Sequence, residues 1–184
     1  MVYLDEKQSV QPKFTIGGKK QARQTFGFDE ISLVPGKVTL DLELCDTSFI
    51  LGKHKFDFPI LASAMDSVVS PQSAVEISKL GGLAVLNLQG IYTRYENYNE
   101  ILKKICNADN ENFVPLMQEL YQEPVKEELI KRRIKEIKSC GAVCVVSSTP
   151  NLANNYGPIA QSAGADIFVV QSTVVSIEHK SNDK

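Results

Sequence analysis

Ser63, Met65 and Asp66 stand together in the stretch Phe58–Gly90 (FPILASAMDSVVSPQSAVEISKLGGLAVLNLQG), between two apolar runs. Each side chain has a distinct chemical use. A hydroxyl can donate and accept hydrogen bonds, a thioether can lie against an apolar or aromatic surface, and a carboxylate can accept backbone N–H groups. Asp66 is therefore expected to fix the loop rather than to react. Asn87 ends the second apolar run, facing the same mouth, and is a further ligand candidate. The plainer reading makes Met65 core filler and Ser63 a strand-end cap.

These residues need a scaffold, and the same stretch spells one out. Phe58–Ser63 is a short apolar run entered through a proline, as a buried strand is. Ala64–Val69 is a loop. Ser70-Pro71 starts a helix, with a side-chain cap ahead of a proline at the first helical position. Ala74, Ile77 and Leu80 give that helix its apolar side, and Gly81-Gly82 ends it. Leu83–Leu88 is a second strand, apolar on both faces except at Asn87. Strands of that kind belong to parallel sheets covered by helices, where ligands sit at the C-terminal ends of the strands.

The remaining reactive side chains do not group. Cys45, Cys106, Cys140 and Cys144 lack zinc-site spacing and read as small buried hydrophobes in a reducing compartment. His54 and His179 have no partner at acid–base or metal spacing and read as surface residues. Lys131-Arg132-Arg133 reads as the solvated face of a helix. No metal site is expected.

Composition narrows the function. The 184 residues suit one domain with an extension, and 43% hydrophobic with 23% charged is ordinary for a globular protein. A net charge of −2 gives no reason to expect nucleic acid or an anionic membrane as partner. No apolar run approaches the ~20 residues of a membrane helix, and the N-terminus carries no secretory pattern, so a cytoplasmic protein is expected.

In chain order, residues 1–25 read as a polar arm or loop around Gly17-Gly18. Phe26–Val34 is expected as a strand stopping at Pro35-Gly36, placed to close one end of a barrel. Thr47–Leu51 and His54–Phe56 predict a hairpin across Gly52-Lys53. After Gly90, Thr93 is expected to cap a helix carrying Tyr98, Ile101, Leu102 and Ile105. Phe113–Tyr121 predicts a short helix, and Val125–Ser139 a clear one with Val125, Leu129, Ile130, Ile134 and Ile137 on one stripe. Ala142–Val146 is a strand entering the polar loop Ser147–Asn151. Asn154–Ala163 predicts a poor helix, and Asp166–Gln171 a further two-sided strand.

Strand starts near 59, 83, 142 and 166 make the first and third intervals 24 residues each, one β/α unit. The order is βαβα with a parallel sheet. A (β/α)8 barrel takes eight strands and about 250 residues. The expected fold is therefore α/β, the N-terminal half of a TIM barrel with about four β/α units, preceded by a short arm and a β-hairpin.

Three segments carry a family resemblance. Thr25–Pro35 (TFGFDEISLVP), Pro59–Val68 (PILASAMDSV) and Gly81–Leu88 (GGLAVLNL) together resemble the N-terminal part of the IMP dehydrogenase/GMP reductase family. The wording from Ser70 to Asn97 is similar to the IMP dehydrogenase-related branch without the regulatory CBS pair. The likeness covers about residues 23–179. It implies an arm over residues 1–25 and a partial barrel domain over 26–184 with no CBS pair.

The resemblance implies a purine nucleotide oxidoreductase: IMP, NAD⁺ and water to XMP and NADH, or GMP to IMP with NADPH. It places Ser63 and Met65 against the purine nucleotide, which is IMP or GMP, with Asn87 as a weaker candidate. The family's dehydrogenases carry an Asp-Ser pair where this chain has Gln171-Ser172, near the nucleoside of NAD or NADP. A carboxylate accepts hydrogen bonds from both ribose hydroxyls, whereas a glutamine offers one acceptor and a donor. The family's nucleophilic cysteine loop, its glycine-rich phosphate loops and its potassium site follow later strands and are not expected in this chain. Full-length relatives are homotetramers. The 184-residue chain is thus expected to be inactive alone, and a non-catalytic nucleotide- or partner-binding fragment is the alternative of another class.

Overall fold

The structure, a computed structural model, describes residues 14–18, 20–22 and 25–172. His179 lies outside them. The chain falls into two compact units, Met1–Cys45 and Asp46–Lys184. In the first, β1 (Phe14–Ile16) and β2 (Lys20–Ala22) form an antiparallel ribbon, where only an arm or loop was expected. Gly17 and Gly18 make its turn at φ +60° and +81°, a region open to glycine at little cost.

Phe26–Val34 forms no strand. The Gly27 N–H donates to the Glu30 carboxylate at 2.8 Å, and the Glu30 N–H donates to the Gly27 carbonyl at 3.0 Å. These two bonds close a 3-10 turn at Phe28–Glu30. A local side-chain acceptor has outcompeted the sheet ladder.

The second unit opens with a hairpin of β3 (Phe49–Leu51) and β4 (His54–Phe56), turning at Gly52 with φ +61°. Then come β5 (Leu61–Ala62), α1 (Pro71–Lys79) and β6 (Leu83–Asn87). The Ser70 hydroxyl accepts the Ser73 N–H at 3.0 Å, and the Ser73 hydroxyl accepts the Ser70 N–H at 2.8 Å. This reciprocal cap, with Pro71 in the first turn, is the start that the sequence spelled out. After α1, Gly81 takes φ +84°, and a β-carbon there would strike the Asp57 carboxylate at 2.2 Å.

A helical segment follows: α2 (Tyr98–Cys106), α3 (Phe113–Leu120) and α4 (Glu127–Ser139). Thr93 does not cap α2, whose cap position is Asn97. Thr93 is buried in a 3-10 turn at Ile91–Thr93, its hydroxyl donating to the Leu88 carbonyl at 2.8 Å. Arg133 corrects the solvated-face reading of Lys131-Arg132-Arg133. It is 2% exposed, and its guanidinium donates to the carbonyls of Tyr92 (2.9 Å), Glu96 (2.7 Å) and Tyr95 (3.2 Å). It also bonds Glu136 at 2.7 Å and stacks over the Tyr98 ring. A guanidinium with this many partners is compatible with burial.

β7 (Val145–Ser148), α5 (Pro150–Ala163) and β8 (Ile167–Val170) complete the described chain. Ser147 and Ser148 are strand residues, not loop, because they pair with Val169 and Val170 in the parallel ladder. α5 begins a turn before the expected Asn154. Thr149 is extended at its cap and Pro150 sits in its first turn, while Pro158 lies inside.

The four strands β5-β6-β7-β8 lie in that order, all parallel, with Leu61 opposite Leu83, Val85 opposite Val145 and Val145 opposite Ile167. An order without reversal means that every right-handed crossover covers the same face, as in one half of a (β/α)8 barrel. Residue alternation separates the two faces. Ala84, Leu86, Cys144 and Val146 pack with Val75 of α1, with Ile130, Ile134 and Ile137 of α4, and with Ala160 of α5. Leu83, Val85 and Val145 pack instead with Phe56 of the hairpin, joined by Phe49, Ile167 and Val169. Phe49 and Phe56 stack with ring centroids 5.0 Å apart. The hairpin thus covers the inner face at the strands' N-terminal end and leaves the other end to the loops.

Candidate functional site

At the C-terminal end of the inner face lies a cavity of about 230 Å³ lined by Ser63, Ala64, Met65, Val85, Ser147, Val169 and Gln171. Its composition follows from strand alternation. Val85 of β6 and its β7 partner Val145 point inward, and two residues further along β7 the inward position is Ser147, level with Val169 of β8. Gln171 follows two residues past Val169, so apolar lining gives way to hydrogen-bonding groups toward the strand ends. The Ser147 Oγ lies 3.5 Å from the Gln171 Oε1. No charged side chain lines the cavity.

Of the residues singled out from the sequence, Ser63, Met65 and Gln171 meet here. Met65 is half exposed, at 52%. Ser172 is exposed, one residue past Gln171. Asn87, the register partner of Ser147, is turned aside: its Nδ2 donates to Asp66 at 3.4 Å and its Oδ1 accepts the Gln89 N–H at 3.0 Å. Ser147 was not anticipated, although its place two residues after the inward Val145 was a usable signal.

The loop that carries Ser63 and Met65 is folded tightly. The Met65 N–H donates to the Ser63 carbonyl at 2.8 Å, and the Met65 carbonyl accepts the N–H groups of Val68 and Val69 at 2.9 Å each. Asp66 anchors it, as its residue type suggested. Its Oδ2 accepts the Ile91 N–H at 2.6 Å and the Tyr121 hydroxyl at 2.7 Å, and its carbonyl accepts the Tyr92 hydroxyl at 2.9 Å. Burial, with the Asp66 charge behind it, pushes the Tyr92 phenol up to about 12. Burial, the hydrogen bond to Asp66 and the Asp66 charge raise Tyr121 as well, so both phenols remain donors at neutral pH.

A second ring of contacts binds neighbouring loops. The Gln89 Oε1 accepts the Thr149 N–H at 2.7 Å. Arg94 donates from Nε to the Gln89 carbonyl at 3.0 Å and from Nη1 to the carbonyls of Tyr121 (3.1 Å) and Glu123. Its guanidinium carbon sits 5.1 Å above the Tyr121 ring. Nothing in the local sequence marks Tyr121 as part of this site.

None of the four cysteines lines the cavity. The buried reading holds for Cys144, which is fully buried on the helix-covered face, but not for Cys45, Cys106 and Cys140, which are exposed. Burial foremost, and then the Asp166 charge, push the Cys144 thiol up to about 12, which removes it as a nucleophile at neutral pH. Among the described residues no cluster of His, Cys, Asp and Glu could hold a metal ion, and no helix is long and apolar enough to cross a membrane.

His54 departs from the surface reading. It lies at the opposite end of the sheet, 19% exposed, with Nε2 3.8 Å from the Asp166 Oδ1. Asp166 also accepts the Lys138 ammonium at 2.7 Å and the Cys144 N–H at 2.9 Å. The signal was available, because His54 shares a hairpin face with the buried Phe56, two residues on.

Comparison with known proteins adds to this geometry. A family model described as IMP dehydrogenase / GMP reductase domain matches residues 25–180. An uncharacterised oxidoreductase of Mycobacterium bovis is 31% identical over 173 residues, covering 91% of this chain and 46% of the relative. The inosine-5'-monophosphate dehydrogenase of Methanocaldococcus jannaschii is 33% identical over 67 residues, 36% of this chain and 14% of that enzyme. The crystal structure of an IMP dehydrogenase/GMP reductase-like protein from Corynebacterium glutamicum superposes with a TM-score of 0.78 at 32% identity, covering 90% of this chain and 45% of that one. The chain thus spans about half the length of the relatives that it matches along most of its own.

Proposed function

This chain belongs to the IMP dehydrogenase/GMP reductase family, and from that premise we propose that it binds a purine nucleotide as part of an oxidoreductase. The observation that carries the proposal is the meeting of Ser63 and Met65 with Ser147 and Gln171 around one uncharged cavity at the C-terminal ends of parallel strands. The Ser63 hydroxyl bonds a ribose or phosphate oxygen, and the Met65 thioether lies against the base. The reaction that suits this placement is oxidation of IMP to XMP with NAD⁺ and water. Reduction of GMP to IMP with NADPH is the alternative within the family.

A nicotinamide cofactor fits the Gln171 side by hydrogen bonding. The amide there offers one acceptor and one donor to a ribose hydroxyl or a carboxamide, and Ser147 offers a hydroxyl beside it. When bound, the cofactor accepts or delivers the hydride. This chain's own part would be to offer Ser63 and Met65 to the nucleotide and Ser147 and Gln171 to the cofactor, above an apolar floor of Val85 and Val169. The family's nucleophilic thiolate has no counterpart among Cys45, Cys106, Cys140 and Cys144, so the 184 residues alone bind without turnover.

The test combines titration with assay. IMP and GMP are titrated into the chain by calorimetry, and absorbance at 340 nm is followed with IMP plus NAD⁺ and with GMP plus NADPH. Binding that Ser63→Ala weakens severalfold, with no absorbance change, is the expected result. Turnover above background would overturn the missing-nucleophile argument. Absence of binding at millimolar nucleotide would overturn the nucleotide reading and favour a partner-binding fragment.

A further inference from the structure

We infer that Tyr121, at the end of α3, is a positioning residue for the 63–67 loop, acting through its hydrogen bond to Asp66 to set Ser63 and Met65 at the cavity rim. The inference rests on the reading of that loop as the nucleotide's seat.

Four groups hold Asp66. The Ile91 N–H, the Asn87 Nδ2 and the Tyr92 hydroxyl belong to the segment leaving β6, so they come with the barrel unit itself. The Tyr121 hydroxyl comes from the helical segment, 55 residues along the chain, and shares Oδ2 with the Ile91 N–H. A phenol donating to a carboxylate is a charge-assisted bond with a demanding geometry. The loop beyond Asp66 has little freedom of its own, because its internal bonds tie Ser63, Met65, Val68 and Val69 into one turn. A shift of the Asp66 carboxylate therefore carries Ser63 and Met65 with it.

Tyr121 is built as a strut rather than as core. It is 38% exposed, so deleting its hydroxyl opens no cavity. Arg94 fixes it twice, through the ring face and through the Tyr121 carbonyl. The same arginine bonds the Gln89 carbonyl, and Gln89 reaches the Thr149 N–H at the exit of β7. α3 is in this way tied to the exits of β5, β6 and β7; the first supplies Ser63 and Met65 to the cavity, and β7 itself supplies Ser147.

The experiment uses methyl-¹³C methionine in the full chain, whose three methionines are Met1, Met65 and Met117. The Met65 methyl resonance is assigned with Met65→Leu. Tyr121→Phe is expected to move or broaden the Met65 resonance in the free protein with little change in melting temperature. It is also expected to raise the IMP concentration needed for half-maximal perturbation about tenfold, the scale on which outer contacts support a binding group. In an Asp66→Asn background the same substitution is expected to add little. A Met65 resonance left at its wild-type position by Tyr121→Phe would overturn the inference, as would an equal shift in both backgrounds. If IMP perturbs no methionine in the wild-type chain, the nucleotide reading fails, while the free-state resonance still decides whether Tyr121 holds the loop.

Discussion

A β-carbon at Gly90 would lie 1.8 Å from the Oδ1 of Asp66, and no rotation of that carboxylate is free, because its Oδ2 is already bonded by Ile91 and Tyr121. Gly90 has ordinary backbone angles (φ −86°, ψ −171°), so glycine is required for space rather than for conformation. Gly90→Ala is expected to cost about 1–3 kcal/mol, the usual range for overpacking. In an Asp66→Ala background, where the obstructing carboxylate is gone, the same change is expected to cost much less. Urea unfolding of the wild type and the three variants measures the difference, and equal costs in both backgrounds would refute the steric account.

Asp166 gives a pH signature. Burial alone would raise its pKa, but the Lys138 ammonium, the Cys144 N–H and the nearby His54 outweigh it and hold the carboxyl below its ordinary 3.8. A folded-state pKa below the unfolded one adds stability above the unfolded value and loses it as pH falls through the folded value. Asp166→Asn is therefore expected to be less stable than wild type from pH 7 down to about 5, with the gap closing below about pH 4. Thermal melts across that range test the sign; a gap that widens on acidification would contradict it.

Thiol reactivity separates the cysteines. Cys45, Cys106 and Cys140 are exposed, whereas Cys144 is buried with its thiol pushed up to about 12. Under native conditions at pH 7.5, iodoacetamide is expected to modify the first three and to leave Cys144 intact until the protein unfolds. Peptide mass spectrometry reads this directly. Modification of Cys144 at the rate of Cys140 would show that the packing of β7 against α4 opens readily.

What the sequence disclosed depended on whether the determining interaction was local. The α1 start at Ser70-Pro71, the turn at Gly52 and the strand Leu83–Asn87 are written in neighbouring residues, and the structure has them where they were expected, whereas β5 is shorter than Phe58–Ser63 and β7 starts three residues later than Ala142. Arg133 was misread because its charge outweighed its position, although it occupies the i+3 place of the stripe Ile130, Ile134 and Ile137. Ser147 was placed one residue outside a strand whose ladder to β8 continues through it. Phe26–Val34 looked like a strand because its alternation was visible, while the Glu30 carboxylate reaching back to Gly27 was not. At the site, Ser63 and Met65 could be named from the resemblance. Tyr121 could not, since its contact with Asp66 spans 55 residues and leaves no trace in spacing.

The hairpin that packs Phe56 under Leu83, Val85 and Val145 reaches beyond its own end of the sheet. Val85 and Val169 belong to that cluster and also line the cavity, so the hairpin braces the cavity floor from the opposite end of the strands.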